Sequence, residues 1–173
     1  YTSLDLEIGF IEDHLELMEL ETKLLIKIMK DLQENNASDF VLLNASLPIV
    51  SEKIPFLKLR EAQELIKKET GEDCTNEPDL EPAHERWLCE YAKKNLDSEF
   101  IFITHYPLSK RPMYTYEDEN DPGMTKSFDL LFRGIEITTG GQRVHDYDKL
   151  ITAIKNKNLD PEKFSYYLQA FKY

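Results

Sequence analysis

Cysteine is scarce: Cys74 and Cys89 are the only two in 173 residues. That is too few for a disulfide framework and lacks the spacing of a zinc site, so free thiols in a reducing compartment are expected. Basic residues are also in short supply, 21 Lys and Arg against 33 Asp and Glu, giving a formal charge of −12. A charge of that sign excludes bulk coating of nucleic acid, whose affinity comes from a basic footprint, but it leaves room for a local basic patch. No apolar run approaches the roughly 20 residues of a membrane span, and no secretory leader is visible, so a cytoplasmic location away from membranes is expected. Internal repeats and low-complexity segments are missing too. An initiator Met is absent: the chain opens at Tyr1-Thr2-Ser3 inside a strand pattern and closes at Phe171-Lys172-Tyr173 inside a helical one. Both ends read as cuts in something longer.

A hydrophobic content of 41% with nine Phe and nine Tyr excludes a disordered tail, and the length suffices for one cored domain or much of one. Leu4 to Phe10 alternates apolar and acidic residues, the period of a half-buried strand. Asp13, with Glu16 three residues on, predicts a capping box and a helix to about Asn35, its apolar face carrying Met18, Leu25, Met29 and Leu32. From Phe40 to about Leu57 the pattern predicts short β-like runs broken by Pro48 and Pro55. A short helix over Ala62 to Lys68, a polar loop from Gly71 to Pro78 and a helix started by Pro82 follow. The last of these carries a stripe of Trp87, Leu88, Tyr91 and Ala92. Phe100 to Thr104 is a fully buried kind of strand, and Arg111 to Tyr116 reads as another. Glu117 to Gly123 is turn-rich. A long strand then runs through Ser127 and beyond, before a helix from Tyr147 to about Lys157. Asp160-Pro161 opens a last helix that turns Phe164, Leu168 and Phe171 inward. Strands separated by helices and turns without regular βαβ alternation imply an α+β layer structure.

The chemistry concentrates between Ser127 and His145. Asp129 and Glu136 are acids suited to Mg²⁺, which takes one or two carboxylates and completes its shell with phosphate and water. They lie seven residues apart, an odd interval that an ideal strand would throw onto opposite faces. A one-residue bulge at Gly134 would bring them together; otherwise Asp129 and Arg133 simply pair at the surface. Gly140-Gly141 permits close approach of backbone to a ligand, or forms an ordinary turn. Arg143 offers a planar fork for a carboxylate. Asp5 and Glu7, two apart on one strand, would project from the same face toward an ammonium or cation, unless that face is the outside of an edge strand. His105 and His145 read as structural, and Lys110-Arg111 as a phosphate contact or a solvated turn.

Phe128-Asp-Leu-Leu-Phe-Arg-Gly-Ile-Glu-Ile-Thr-Thr-Gly-Gly-Gln-Arg-Val-His145 closely resembles the class II aspartyl-tRNA synthetases of the archaeal and eukaryotic type. The likeness extends over nearly the whole chain. Tyr1 to Phe10 is similar to the second strand of motif 2, and Thr104-His-Tyr-Pro107 and Arg111-Pro-Met-Tyr114 to the segment before the metal-binding strand. Phe164 to Tyr173 is similar to the helix before motif 3. The resemblance implies a six-stranded antiparallel sheet flanked by helices, incomplete here, with residues 1–173 forming part of one catalytic domain and an insert at about 40–78. It implies activation of aspartate with Mg-ATP to aspartyl-adenylate, then transfer to tRNA. In that reading Asp129 and Glu136 hold Mg²⁺ at the ATP phosphates, and Arg143 grips the substrate side-chain carboxylate. Asp5 faces its ammonium, Glu7 lines the adenylate site, and Thr138, Thr139 and Gln142 shape the pocket. The Gln142-Arg143 pair favours aspartate over its amide, which would leave the cationic fork poorly compensated.

By the same resemblance, motif 1, which supports a homodimer in this class, the first strand of motif 2 and motif 3 lie outside the chain. The 173 residues alone are therefore expected to be inactive. Whether the tRNA is tRNA-Asp only, or tRNA-Asn as well, depends on an anticodon-binding domain elsewhere. Two other readings stay open: a tRNA-independent relative making a small molecule such as asparagine, and a non-catalytic binding module.

Overall fold

Residues 2–172 are described by the structure, a computed structural model; Tyr1 and Tyr173, the outermost residues of the two ends read as cuts, lie outside them. In chain order the elements are α1 (Leu15–Asn35), α2 (Ala37–Leu42), β1 (Phe56–Lys58), α3 (Leu59–Thr70), α4 (Pro82–Asn95), β2 (Phe100–Thr104), β3 (Ser127–Phe132), β4 (Ile135–Gly141), α5 (Tyr147–Asn156) and α6 (Ser165–Gln169), the last preceded by a 3₁₀ turn at Pro161–Phe164. The four strands lie in the order β1-β2-β3-β4. The β2–β3 and β3–β4 pairs are antiparallel and β1 joins β2 in parallel. Among the described residues the sheet thus has four strands, one of them parallel, where the resemblance implied six antiparallel ones.

Strand β2 is buried along its whole length because helices cover both faces of the sheet, which is why its sequence is continuously apolar rather than alternating. On one face Ile101, Ile103 and Leu131 pack with Leu59, Ala62 and Ile66 of α3 and Leu88 and Ala92 of α4. On the other, Phe100, Phe102, Phe128 and Leu130 meet Met18 of α1 and Ile54. Each such Leu, Ile or Phe stabilises the fold by roughly 1.5–3 kcal/mol. A third cluster joins Val144 to Leu150, Ile154 and Leu168 of α5 and α6, with Phe164 and Phe171 against it.

Local signals explain the ends of several elements. Glu16 accepts from the Asp13 amide at 3.2 Å while Asp13 accepts from the Leu15 amide at 3.1 Å, so the expected reciprocal cap forms at the head of α1. Pro82 occupies the first turn of α4, and Asp146 caps α5 through the Lys149 amide at 2.8 Å.

Four expectations are corrected. Leu4 to Phe10 forms no strand, because among the described residues no neighbour completes its hydrogen-bond ladder, and Leu4 and Leu6 are exposed. Phe40 to Leu42 belongs to helix α2 rather than a β run, leaving β1 as the single strand in that region. Arg111 to Tyr116 is a looped crossing with one isolated bridge, Thr115 to Arg143, instead of a strand. The long strand through Ser127 is a hairpin: Arg133 and Gly134 form its two-residue turn, both with positive φ (49° and 84°), the geometry that matches strand twist.

Candidate functional site

The hairpin decides which side chains meet. Phe132 pairs with Ile135 and Leu131 with Glu136 across the two-residue turn. Chain reversal therefore resets the phase that an unbroken strand would keep, and Glu136 falls on the face of Leu131 and hence of Asp129. The two acids therefore share one face of the sheet, and Gly134 brings this about as a turn residue rather than as the expected bulge. An irregularity does exist further on: Leu130 pairs with Thr138 and Asp129 with Thr139, leaving Ile137 as the extra residue. That bulge sets Thr139, not Thr138, beside Asp129. Thr138 lies on the opposite face, where it bonds the α1 carboxylate Glu21, whose pKa burial raises and this bond partly restores. Thr138 and Thr139 are thus separated by the sheet.

Arg111 organises the face. Its Nη2 donates to Asp129 Oδ2 at 2.7 Å, its Nε to Ser127 Oγ at 3.1 Å and its Nη1 to Thr139 Oγ1 at 3.2 Å. The guanidinium lies 4.0 Å from the centre of the Tyr106 ring. The Asp129 side chain is 6% exposed, and its second oxygen, Oδ1, is buried with no hydrogen-bond partner. Glu136 is exposed as a residue, yet desolvation of its carboxyl, then the Asp129 charge, push its pKa up to about 6; Arg111 opposes, while Glu85 and Asp79 add to the rise. Burial, and next the Asp129 charge, raise Glu85 as well. Burial and the same charge also push the Tyr106 hydroxyl up.

A buried acceptor without a partner beside a second carboxyl under electrostatic pressure is a deficit of positive charge. These residues fit a small divalent cation of the hard, oxygen-seeking kind. No group of three metal-ligating side chains occurs among the described residues, so the chain's share of such a shell would be the two carboxylates, with phosphate and water supplying the rest.

Arg143 sits just beyond the end of β4 and has contacts of its own. Its Nη1 is 3.5 Å from Glu7 Oε1, with the two side chains 50% and 73% exposed, a rim contact that holds little energy. Its guanidinium lies 4.9 Å from the Tyr114 ring centre. Nearby, the Tyr167 hydroxyl is buried without a hydrogen-bond partner; burial raises its pKa and Arg143 lowers it. Asp5 is exposed, two residues before Glu7. Gln142 is fixed through its backbone, donating to Lys126 O and accepting from the Tyr116 amide, both at 2.9 Å, and its Oε1 is a further buried acceptor without a partner. The structure thus gathers Asp129, Glu136 and Thr139 around Arg111, and Arg143 with Glu7 near Tyr167.

Gly140 and Gly141 have a packing reason. They lie in β4 opposite Phe128 and Ser127, and a Cβ at Gly140 would stand 2.5 Å from the Phe128 ring. His105 is structural, bonded to Asp118 at 3.1 Å and Thr104 at 2.8 Å. Arg111, Ser127, Tyr106, Asp79 and Glu85 were not singled out as site residues by the sequence. Arg111 alone carried a signal, as one half of a basic pair, but its partners lie 16 to 28 residues away.

Comparison with known proteins gives the family of the chain. The family model for tRNA synthetases class II (D, K and N) matches residues 1–173. The chain is 46% identical to the aspartate–tRNA(Asp/Asn) ligase of Thermus thermophilus, over all of its own length and 40% of the relative's. It is 35% identical to the aspartate–tRNA(Asp) ligase of Pyrococcus abyssi, over 99% of its own length and 39% of the relative's. Among solved structures, the aspartyl tRNA synthetase from Entamoeba histolytica superposes with a TM-score of 0.89 at 25% identity, covering 96% of this chain and 35% of that one. The asparaginyl-tRNA synthetase from Pyrococcus horikoshii shares the fold, with a TM-score of 0.80 at 24% identity over 93% of this chain and 38% of that one. The chain therefore spans about 40% of the length of these curated relatives.

Proposed function

This chain belongs to the class II tRNA synthetases (D, K and N), and from that premise we propose that it supplies the cation- and amino-acid-binding part of an aspartate–tRNA ligase. The observation that carries the reading is the common sheet face of Asp129 and Glu136, with Asp129 Oδ1 left as an unpartnered buried acceptor. In the reaction, an oxygen of the aspartate α-carboxylate attacks the α-phosphorus of ATP and the bond to pyrophosphate breaks, giving aspartyl-adenylate. The terminal ribose hydroxyl of tRNA then takes the aspartyl group and releases AMP. Mg²⁺, when bound, neutralises charge on the phosphates.

The chain's own residues orient the reactants. Arg143 binds the substrate side-chain carboxylate through its fork, with the weak Glu7 contact giving way to it. Asp5 receives the ammonium, and Glu7 borders the adenylate. Thr139 and Gln142 line the pocket, while Thr138 braces β4 against α1. Asp129 and Glu136 carry the cation. No protein nucleophile takes part, so catalysis rests on positioning and charge neutralisation. The segment at about 40–78 belongs to the body of one catalytic domain, to which it gives β1 and α3, and the whole enzyme is a homodimer. The tRNA partners are tRNA-Asp and, following the tRNA(Asp/Asn) relative, tRNA-Asn.

The test is aspartate-dependent exchange of pyrophosphate into ATP by the full-length protein. Arg143→Leu should raise KM for aspartate, and Asp129→Asn or Glu136→Gln should lower kcat by roughly 10²-fold or more, in the range seen when one charge-stabilising group is removed. Exchange that ignores aspartate, or that survives all three substitutions, overturns the proposal. Charging assays with tRNA-Asp and tRNA-Asn decide the tRNA range.

A further inference from the structure

We propose that Arg111 determines which divalent cation the site accepts, by occupying one oxygen of Asp129 and leaving only the other for a metal. This rests on the cation site proposed above and names a further residue within it. Arg111 is held from three sides. It donates to Ser127, Asp129 and Thr139 at 3.1, 2.7 and 3.2 Å, and Tyr106 supports its plane at 4.0 Å. Its side chain is 15% exposed, so the fork cannot swing away without breaking three bonds, those to Ser127 and Asp129 part-buried and that to Thr139 exposed. Asp129 Oδ2 is consequently committed to Arg111, and Oδ1 makes no well-formed hydrogen bond, although the Tyr106 hydroxyl acts on the same carboxylate.

A carboxylate restricted to one oxygen suits cations differently. Mg²⁺ is small, demands octahedral geometry and keeps several waters, so it takes carboxylates one oxygen at a time. Ca²⁺ is larger, accepts six to eight oxygens and gains from gripping both oxygens of one carboxylate. By blocking Oδ2, Arg111 denies Ca²⁺ that second bond and costs Mg²⁺ nothing comparable. A guanidinium is the side chain for this, because its rigid fork bonds the carboxylate and two hydroxyls at once, whereas an ammonium is a point charge on a flexible stem.

The experiment is competition of Mg²⁺ and of Ca²⁺ against Mn²⁺, followed by electron paramagnetic resonance, on the full-length protein with a non-hydrolysable ATP analogue. Arg111→Lys keeps the charge but not the fork. The preference for Mg²⁺ over Ca²⁺ should fall about tenfold, the scale on which outer partners of metal ligands act. The double variant Ser127→Ala/Thr139→Val leaves Arg111 in place but loosens it, and should shift the ratio the same way by less; it carries the test if Arg111→Lys does not fold. An Arg111 that merely balances charge leaves the ratio unchanged in both, and that result overturns the inference. Asp129→Asn separates the two levels. Loss of Mn²⁺ binding there, with an unchanged Mg²⁺/Ca²⁺ ratio in the Arg111 and hydroxyl variants, sinks the role of Arg111 alone. Undiminished Mn²⁺ binding in Asp129→Asn sinks the cation site with it.

Discussion

His14 is 2% exposed, packed edge-on against the His105 ring at 5.4 Å. Its Nδ1 is 2.7 Å from Asp13 Oδ1 but misaligned, and neither ring nitrogen makes a hydrogen bond. Burial pushes its pKa down to about 4, outweighing the pull of Asp13. An unfolded histidine titrates near 6.5, so between those values the unfolded chain binds a proton that the native one refuses. The contribution is complete above pH 6.5 and is lost as pH falls toward 4, about 3 kcal/mol in all. His14→Leu should flatten the pH dependence of unfolding in that window and leave stability at pH 7 equal or higher, since it removes two unsatisfied buried polar atoms. Glu99 acts in a lower window. Burial tends to raise its pKa, but bonds from Arg133, the Ile49 amide and Lys93 outweigh that and hold it at about 2. Its stabilisation is present above about pH 4.5 and is lost as pH falls toward 2. Glu99→Gln should reduce that lower slope, to which other lowered carboxylates such as Asp73 also contribute, and leave the upper one intact, as read by urea unfolding at a series of pH values.

At the scale of elements the β3–β4 hairpin is the sensitive joint. Gly134 has φ 84°, and a Cβ there would stand 2.5 Å from Arg86 Cγ and 3.2 Å from Arg86 Cα on α4. Gly134→Ala should therefore cost about 1–3 kcal/mol of stability. Adding Arg86→Ala should recover the portion due to the side-chain clash, and a double-mutant cycle separates it from the backbone portion. This turn also marks where sequence reading stopped. Strand β2, helix α4 and the cap of α1 were legible because each is set by local pattern: unbroken apolar burial, proline at a first turn, acid and amide three apart. The hairpin was not, since Arg-Gly lacks the Asn-Gly or Asp-Gly signature of a two-residue turn and an arginine at φ 49° is uncommon. Asp129 and Glu136 were nevertheless singled out, through the chemistry they suit. Helix α2 was missed because Phe40-Val41-Leu42 is apolar enough to imitate a strand. Arg111 was undervalued because a guanidinium's partners are chosen by tertiary contact and leave no mark on its neighbours in sequence.

Across the whole molecule the described surface carries exposed apolar side chains in two short runs, at residues 4–8 and 41–43. Leu4 and Leu6 are 77% and 58% exposed, Val41 and Leu42 82% each, and Leu43 74%. Scattered exposed apolar residues are ordinary, but contiguous groups mark surfaces that something covers. Leu4, Leu6 and Ile8 alternate as strand residues do, yet no ladder forms. Arg143 meets only an exposed Glu7 on that same segment. The Asp129–Glu136 face is organised within the chain by Arg111, whereas Arg143 leans on a segment with no sheet partner among the described residues. The isolated 173-residue polypeptide should therefore bind an apolar dye strongly and retain the Arg111–Asp129 cluster better than the Arg143–Glu7 contact. Amide hydrogen exchange should show β2 and β3 protected and residues 2–10 exchanging at once. It should catalyse no aspartate-dependent pyrophosphate exchange, while the full-length protein shows the exchange, weak dye binding and slowed exchange at residues 4–8. Turnover by the isolated polypeptide would mean that the exposed segment is already competent, and that the apolar residues on it serve some purpose other than completing the site.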